Sequence, residues 1–351
     1  TMAKKAENKV FIRLVKGAYW DTEIKLAQQE GLDYPVFTRK EHTDISYFAC
    51  ARKLFHSSHL YTAYATHNPF TISAIQKISK CCDKPYEFQK LYGMGDGLYN
   101  QFINEQQTKV RVYAPVGEYK DLLAYLIRRL LENGANTSFV HNQEVVDPFV
   151  ELKKTKKEFK TWRDLYKNRI NSKGYDLTDP AMIDYMLDSP THPEQDEEIL
   201  PVKDTIKLLS DYQEQWSNTT FEYRSKILLA CADSLEDEIV MASNRMVKFS
   251  FKTYPNAVAE IRETVDFIRY YVEQAEKLYK ENIKPSYTGE HNVTMYNPRG
   301  TWMVIAPWNF PYAIFMGPIV AALVTGNTVL AKPAPQTFEI AKVIIASMHH
   351  I

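Results

Sequence analysis

Several short stretches of this 351-residue sequence carry side chains suited to chemistry. RLVKGAYWD, residues 13–21, begins as an apolar strand and ends in a Lys, a Gly, two aromatics and an Asp. VFIRLV reads as a strand covered on both faces except for Arg13, whose charge is costly to bury without a partner. Arg13 therefore faces an anion or an electron-rich ligand, or it is simply paired. In RRLLEN, residues 128–133, Arg128 and Glu132 stand at the i,i+4 spacing of a surface ion pair. Arg128 and Arg129 project about 100° apart, so both reach one ligand only where their helix bounds a cleft. There a guanidinium fork suits a carboxylate. On spacing alone His67, in ATHN, reads as a structural residue at a strand end, and Lys16 as a solvated one.

The elements that must position these residues follow from periodicity. From residue 10 to about 140, strand-like runs (VFIRLV, LYTAYA, YEFQKL, VRVY) alternate with helical ones (DTEIKLAQQEG, DISYFACARKLF, PFTISAIQKISK, YKDLLAYLIRRLLENGA), a pattern of parallel strands joined by helices. Each strand has its polar or unusual residues at its C-terminal end: Lys16 to Asp21, Thr66 to Asn68, Leu91 to Met94, Tyr113 to Gly117. That is where a (β/α)8 barrel keeps its active site, but a closed barrel needs eight strands and roughly 250 residues, so the expectation is half a barrel. Residues 141–200 are charge-rich and then acidic with prolines, and read as a linker that is partly helical at its start. Residues 202–284 are helical in period, and HNVTMYNPRGTWMVIAPWNFP, an apolar helix and GNTVLAKPAPQT open a second α/β domain, giving divisions at 1–140, 141–200 and 201–351.

Bulk composition narrows the class of function. Forty-three basic residues balance 43 acidic ones with no dense basic run, which argues against nucleic acid and for small-molecule partners. Four cysteines without metal or framework spacing, and a polar start without a signal peptide, give a cytoplasmic expectation. AIFMGPIVAALV, from Ala313, is too short to span a bilayer and reads as a buried helix.

In order, RLVKGAYWD, TRKEHTDISY, ATHN, EFQKLYGM, RVYAPVG and YLIRRLLENGANTSF resemble the C-terminal half of the proline dehydrogenase barrel, over residues 10–140. The resemblance is to the form found in bifunctional bacterial flavoenzymes of proline catabolism. It implies FAD contacts at Arg13, Lys16, Gly17, Ala18, Trp20, Thr66, His67 and Glu132. Arg13 is implied beside the flavin N5, where a fixed cation stabilises the charge of the reduced ring. Arg128 and Arg129 match the pair that grips the proline carboxylate, and Tyr113 and Leu91 match residues that shape the proline pocket.

PWNFP followed by GNTVLAKPA resembles the aldehyde dehydrogenase superfamily, and AEIRETVDFIRYY is similar to the glutamate-semialdehyde dehydrogenase half of the same bifunctional enzymes. Asn309 then matches the side-chain amide of the oxyanion hole, and Pro307, Trp308 and Lys332 fall on the NAD side, Lys332 at the adenosine ribose. Pro298 and Gly300 read as turn residues. Two departures stand out: Pro335 occupies the position where the family usually has Glu, and the linker is short of an expected strand-rich segment. The family's nucleophilic Cys and general-base Glu match nothing before residue 351, so this stretch alone is expected to be inactive. The alternative is a catalytically inactive piece that acts in assembly or interaction. The resemblance further implies L-proline and glutamate semialdehyde as substrates, a membrane quinone as electron acceptor with possible peripheral contact at the inner membrane, and a homo-oligomer.

Overall fold

In the computed structural model the described residues are 9–17, 19–82, 84–100, 108–134, 148–153, 159–191, 200–280 and 283–349, with the side chains of 130–134 and 349 excluded. They divide into two compact units, Thr1–Ile24 with Tyr34–Phe159, and Lys25–Asp33 with Lys160–Ile351.

The first unit is built on β1 (Val10–Leu14), the start of α1 (Trp20–Glu30, which from Lys25 onward belongs to the second unit), α2 (Lys40–Phe55), β2 (Leu60–Ala65), α3 (Pro69–Ser79), β3 (Tyr86–Leu91), β4 (Val110–Tyr113), α4 (Tyr119–Gly134) and the short α5 (Pro148–Glu151). All four strands are parallel, in the order β1-β2-β3-β4, as the strand and helix alternation requires. Period-2 alternation gives the sheet two unlike faces. On one, Tyr64 and Phe88 pack with Tyr47, Ala51 and Phe55 of α2 and with Ile72 and Ile75 of α3, a core rich in aromatics.

The other face is polar and holds Phe11, Arg13, Tyr61, Glu87, Gln89, Arg111 and Tyr113, side by side by strand register. Here Phe11 stacks on Tyr61 at 5.2 Å. Glu87 accepts two hydrogen bonds from Arg111, at 2.6 and 2.8 Å, one from Gln89 at 2.8 Å and one from Tyr61 at 3.3 Å. These bonds, Arg111 first, hold the Glu87 carboxyl below the ordinary range against the opposing effect of burial. Arg13, on the first strand, donates to the hydroxyl of Tyr113, on the fourth, at 3.1 Å. A contact from the first strand to the last requires the sheet to curl, with this face concave.

The second unit is mostly helical: α6 (Pro180–Asp188), α7 (Val202–Ser217), α8 (Phe221–Asp237), α9 (Ile239–Ser250) and α10 (Tyr254–Lys280), followed by the strand pair β5 (Ile283–Lys284) and β6 (Asn292–Val293). A βαβ unit of β7 (Trp302–Ile305), α11 (Ala313–Val324) and β8 (Val329–Lys332) comes next, then α12 (Phe338–His349). The apolar stretch from Ala313 is α11, buried against α10 as its all-round hydrophobicity predicts, with Phe315, Met316, Ile319 and Val320 in the core beside Ile261, Val265 and Ile268. Pro318 lies inside α11.

Within the segment read as a linker, Trp162 is buried, Ser172 donates through its backbone and hydroxyl to Asp266 at 2.7 and 3.0 Å, and Met186 enters the core. Gly174 passes so close to the end of α1 that an added Cβ would lie 1.7 Å from the Glu30 carbonyl oxygen. Its N–H donates to the Gly31 carbonyl at 2.9 Å, and Gly31 itself is left-handed (φ 70°).

Candidate active sites

In the first unit Arg13, Lys16, Gly17, Thr66, His67, Leu91 and Tyr113 lie at or just past the ends of strands, whereas Trp20, Arg128, Arg129 and Glu132 lie on helices. Arg13 stands one residue before the end of β1 and is engaged with Tyr113 by the hydrogen bond and by a guanidinium-to-ring distance of 4.9 Å. Leu91, the last residue of β3, is buried and is the register partner of Tyr113. Past β1 the chain turns Lys16 toward α2 and α3. Its ammonium pairs with Asp44, bonds the Thr71 hydroxyl at 3.2 Å and lies over the rings of Tyr47 and Phe48. Burial lowers the Lys16 pKa, and Asp44 opposes the shift.

Gly17 has open space where a Cβ would stand. Ala18 lies outside the described residues. Trp20 opens α1 and is fixed by donating to the Phe37 carbonyl at 2.8 Å and by an edge contact with Phe159.

After β2, Thr66 accepts from the Asn68 N–H at 3.2 Å and Asn68 caps α3 by accepting from Thr71 at 3.1 Å, so this loop is rigid. The Tyr99 hydroxyl also bonds the Thr66 carbonyl. His67 sits against Gly95, whose φ of 67° keeps that position free of a side chain. The His67 Nε2 is buried and has no hydrogen-bond partner among the described residues. Burial first, then the nearby Lys90, lowers the His67 pKa and keeps the ring neutral.

On α4, Arg128 bonds the Ala124 carbonyl at 3.3 Å and reaches the Tyr19 hydroxyl at 3.5 Å, while Arg129 lies over the Tyr125 ring at 5.5 Å. The Glu132 side chain lies outside the described ones, as therefore does the expected pair with Arg128.

The sequence reading missed Asp44, Tyr19 and Tyr125. Tyr19 stood in the opening stretch, and Tyr125 precedes Arg129 by one helical turn, so spacing could have flagged both. Nothing local marks Asp44, because its partner lies on another element.

In the second unit, Pro307, Trp308 and Asn309 form the exposed loop between β7 and α11. Register pairs Ile305 with Lys332, and the Ala306 N–H donates to the Lys332 carbonyl at 3.1 Å. Lys332 therefore ends β8 beside the start of that loop, exposed and without an ion-pair partner among the described residues. Gly300 has φ of 116°, but Pro298 and Gly300 lie in an irregular connection rather than the expected turn, held by the Arg299 and Gly300 N–H groups, which donate to Asn327 Oδ1 at 2.6 and 3.1 Å.

These sites have the chemistry of the cofactors the resemblance implies. Nε2 of His67 is a buried polar atom that awaits a partner, and the open space over Gly17 permits close approach of a ligand to the backbone. Lys332 offers an unengaged cation at the C-terminal end of a parallel strand, the usual edge for nucleotides in such sheets.

The proline dehydrogenase family matches residues 1–142 and the aldehyde dehydrogenase family residues 173–351. The bifunctional protein PutA of Klebsiella aerogenes is 39% identical over 96% of this chain and 30% of its own length, and that of Escherichia coli is 38% identical over 96% and 29%. A crystal structure of a variant of Bradyrhizobium japonicum proline utilization A superposes with a TM-score of 0.91 at 37% identity, over 99% of this chain and 38% of that one. The chain thus spans about a third of the length of the relatives it matches. It belongs to the aldehyde dehydrogenase family, preceded by a proline dehydrogenase segment in the order of the bifunctional proline utilization A proteins.

Proposed function

We propose that this chain is part of a bifunctional enzyme that oxidises L-proline to pyrroline-5-carboxylate with FAD, and glutamate semialdehyde to L-glutamate with NAD. The observation that carries the reading is the convergence of Arg13, Leu91 and Tyr113 at the C-terminal ends of curled parallel strands, in a unit that also holds a buried His67 nitrogen without a hydrogen-bond partner among the described residues. When bound, the two cofactors accept hydride, the flavin from the amine and the nicotinamide from the aldehyde.

The chain's own residues bind and orient. Arg128 and Arg129 hold the substrate carboxylate by charge-assisted hydrogen bonds. Tyr113 and Leu91 shape the pocket, and the Tyr113 hydroxyl fixes the Arg13 guanidinium where it favours negative charge on the flavin. Lys16, held by Asp44, with Gly17, Ala18, Trp20, Thr66, His67 and Glu132, completes the flavin contacts. In the second unit Asn309 donates its amide N–H to the developing oxyanion, and Pro307, Trp308 and Lys332 face the dinucleotide.

In this reading the first oxidation belongs to residues 1–140 and the second to 201–351, joined by 141–200. A membrane quinone takes the electrons, with peripheral contact at the inner membrane. The enzyme is a cytoplasmic homo-oligomer.

The test is made in the full-length protein. Arg129→Met raises KM for proline at least tenfold and leaves the flavin content, read from visible absorbance, unchanged. An unchanged KM with flavin lost makes Arg129 structural and removes the assignment.

A further inference from the structure

Glu260 is a carboxylate in the core of the second unit, with 3% of its surface exposed. A buried carboxylate needs several compensating partners, and these all lead to one place. Its Oε1 accepts from the backbone N–H of Tyr312 at 2.8 Å and of Ala313 at 3.3 Å, the amides that open α11. Helix-start amides carry partial positive charge and have no partner within their own helix, so the carboxylate satisfies them in both respects. The other oxygen, Oε2, pairs with the ammonium of Lys252. Lys252 in turn lies over the ring of Phe310, 4.6 Å from its centroid, and Phe310 directly follows Asn309.

Two features show how firmly this arrangement is built. Tyr312 is fully buried, so the start of α11 has no freedom to rotate about the contact. Phe251, which precedes Lys252, is left-handed at φ 55°, the one described residue other than glycine with positive φ. That conformation disfavours a bulky side chain, yet it ends α9 in the direction that brings Lys252 to Glu260.

We propose that Glu260, held by Lys252, is a positioning residue for Asn309. It fixes the amides of residues 312 and 313 while Lys252 fixes the ring of 310, so the loop that carries Asn309 leaves a clamped base and the carboxamide is held in place. The inference rests on the reading of Asn309 as the oxyanion donor. A donor aimed in advance stabilises a developing charge without reorganisation, so loosening its base lowers turnover without removing any contact to substrate.

A double-mutant cycle in the full-length protein tests this, with aldehyde oxidation followed as NADH formation from glutamate semialdehyde and the proline half-reaction as the control for folding. Asn309→Ala lowers kcat about 100-fold. Glu260→Ala lowers kcat about 10-fold with KM for NAD within about twofold, and adds almost nothing in the Asn309→Ala background, because it acts through the amide already removed. Glu260→Gln keeps an oxygen for both backbone amides and recovers most of the loss. Equal losses in both backgrounds, or wild-type kcat in Glu260→Ala, overturn the inference while the Asn309 reading stands. Full kcat in Asn309→Ala instead overturns the oxyanion reading, and the inference with it. If Glu260→Ala does not fold, Lys252→Met replaces it in the same cycle and is judged by the same outcomes.

Discussion

The two units handle buried charge in opposite ways. In the first, Glu87 lies on the concave face of a sheet, where it collects bonds from three side chains and the guanidinium of Arg111 keeps its contact with water. In the second, Glu260 lies inside a helical core and is satisfied largely by backbone amides. A polar face of side chains tolerates change and can adapt to a ligand, whereas a carboxylate locked to amides fixes a chain segment in one position. The difference fits the proposed roles of a concave surface for a flavin and of a loop that presents the Asn309 amide.

The sharpest way to break this comparison is to strain the rigid unit and the open one equally. Gly174→Ala forces a Cβ into the Glu30 carbonyl and destabilises the second unit by about 3 kcal/mol, read as a drop in its thermal midpoint. Gly93→Ala, also a strained substitution at φ 76° but with open space around it, costs the first unit only about 1 kcal/mol. Similar losses at the two positions would mean that Gly174 is not as constrained as its surroundings indicate.

A second, smaller effect separates the charges themselves. Glu87 has a folded pKa below its unfolded one, so its contribution is present above the ordinary carboxylate range and is lost as pH falls through the folded value. Glu87→Gln should cost about 1 to 2 kcal/mol at neutral pH and flatten the acid limb of the first unit's unfolding curve. An acid limb identical to that of the parent would assign the loss of stability to other carboxylates.

The smallest effect is at His67. Its folded pKa lies below 6.5, so as pH falls through 6.5 the unfolded chain takes up a proton that the folded one resists, and stability declines. His67→Gln should reduce that decline by a fraction of one proton, measured as the slope of unfolding free energy between pH 7 and 5. An unchanged slope would place the responsible histidine elsewhere.

The alternation of strands and helices was legible because it is local. The polar residues at the strand ends mark one edge of the sheet, but VFIRLV does not form the strand covered on both faces that its apolar run predicts: no residue of β1 is buried, and Val10, Phe11 and Arg13 are exposed, because that strand turns one face to the polar concave side. Arg13 illustrates the limit: its type announced a partner, but whether that partner was Tyr113 or a ligand depends on how far the sheet curls. Asp44 and Glu260 were not legible at all. The partner of the first lies 28 residues away, and the amides bound by the second lie 52 and 53 away. Carboxylates in helical stretches otherwise read as solvated surface. The close approach at Gly174 was equally silent, since a glycine in a polar segment reads as an ordinary turn.

The register of the first sheet also bears on how the chain assembles. Val10 must find Leu60 across about 50 residues, whereas Thr62 meets Tyr86 after about 24 and Phe88 meets Val110 after about 22. Doubling a closing loop adds about 0.6 kcal/mol of entropic cost. The parallel pairs β2 with β3 and β3 with β4 therefore close ahead of β1 with β2, whose connection is the longest. The strand that carries Arg13 and leads into Lys16 is then the last of the four to find its neighbour. The candidate flavin contacts at Arg13 and Lys16 are therefore completed only when this last pairing forms.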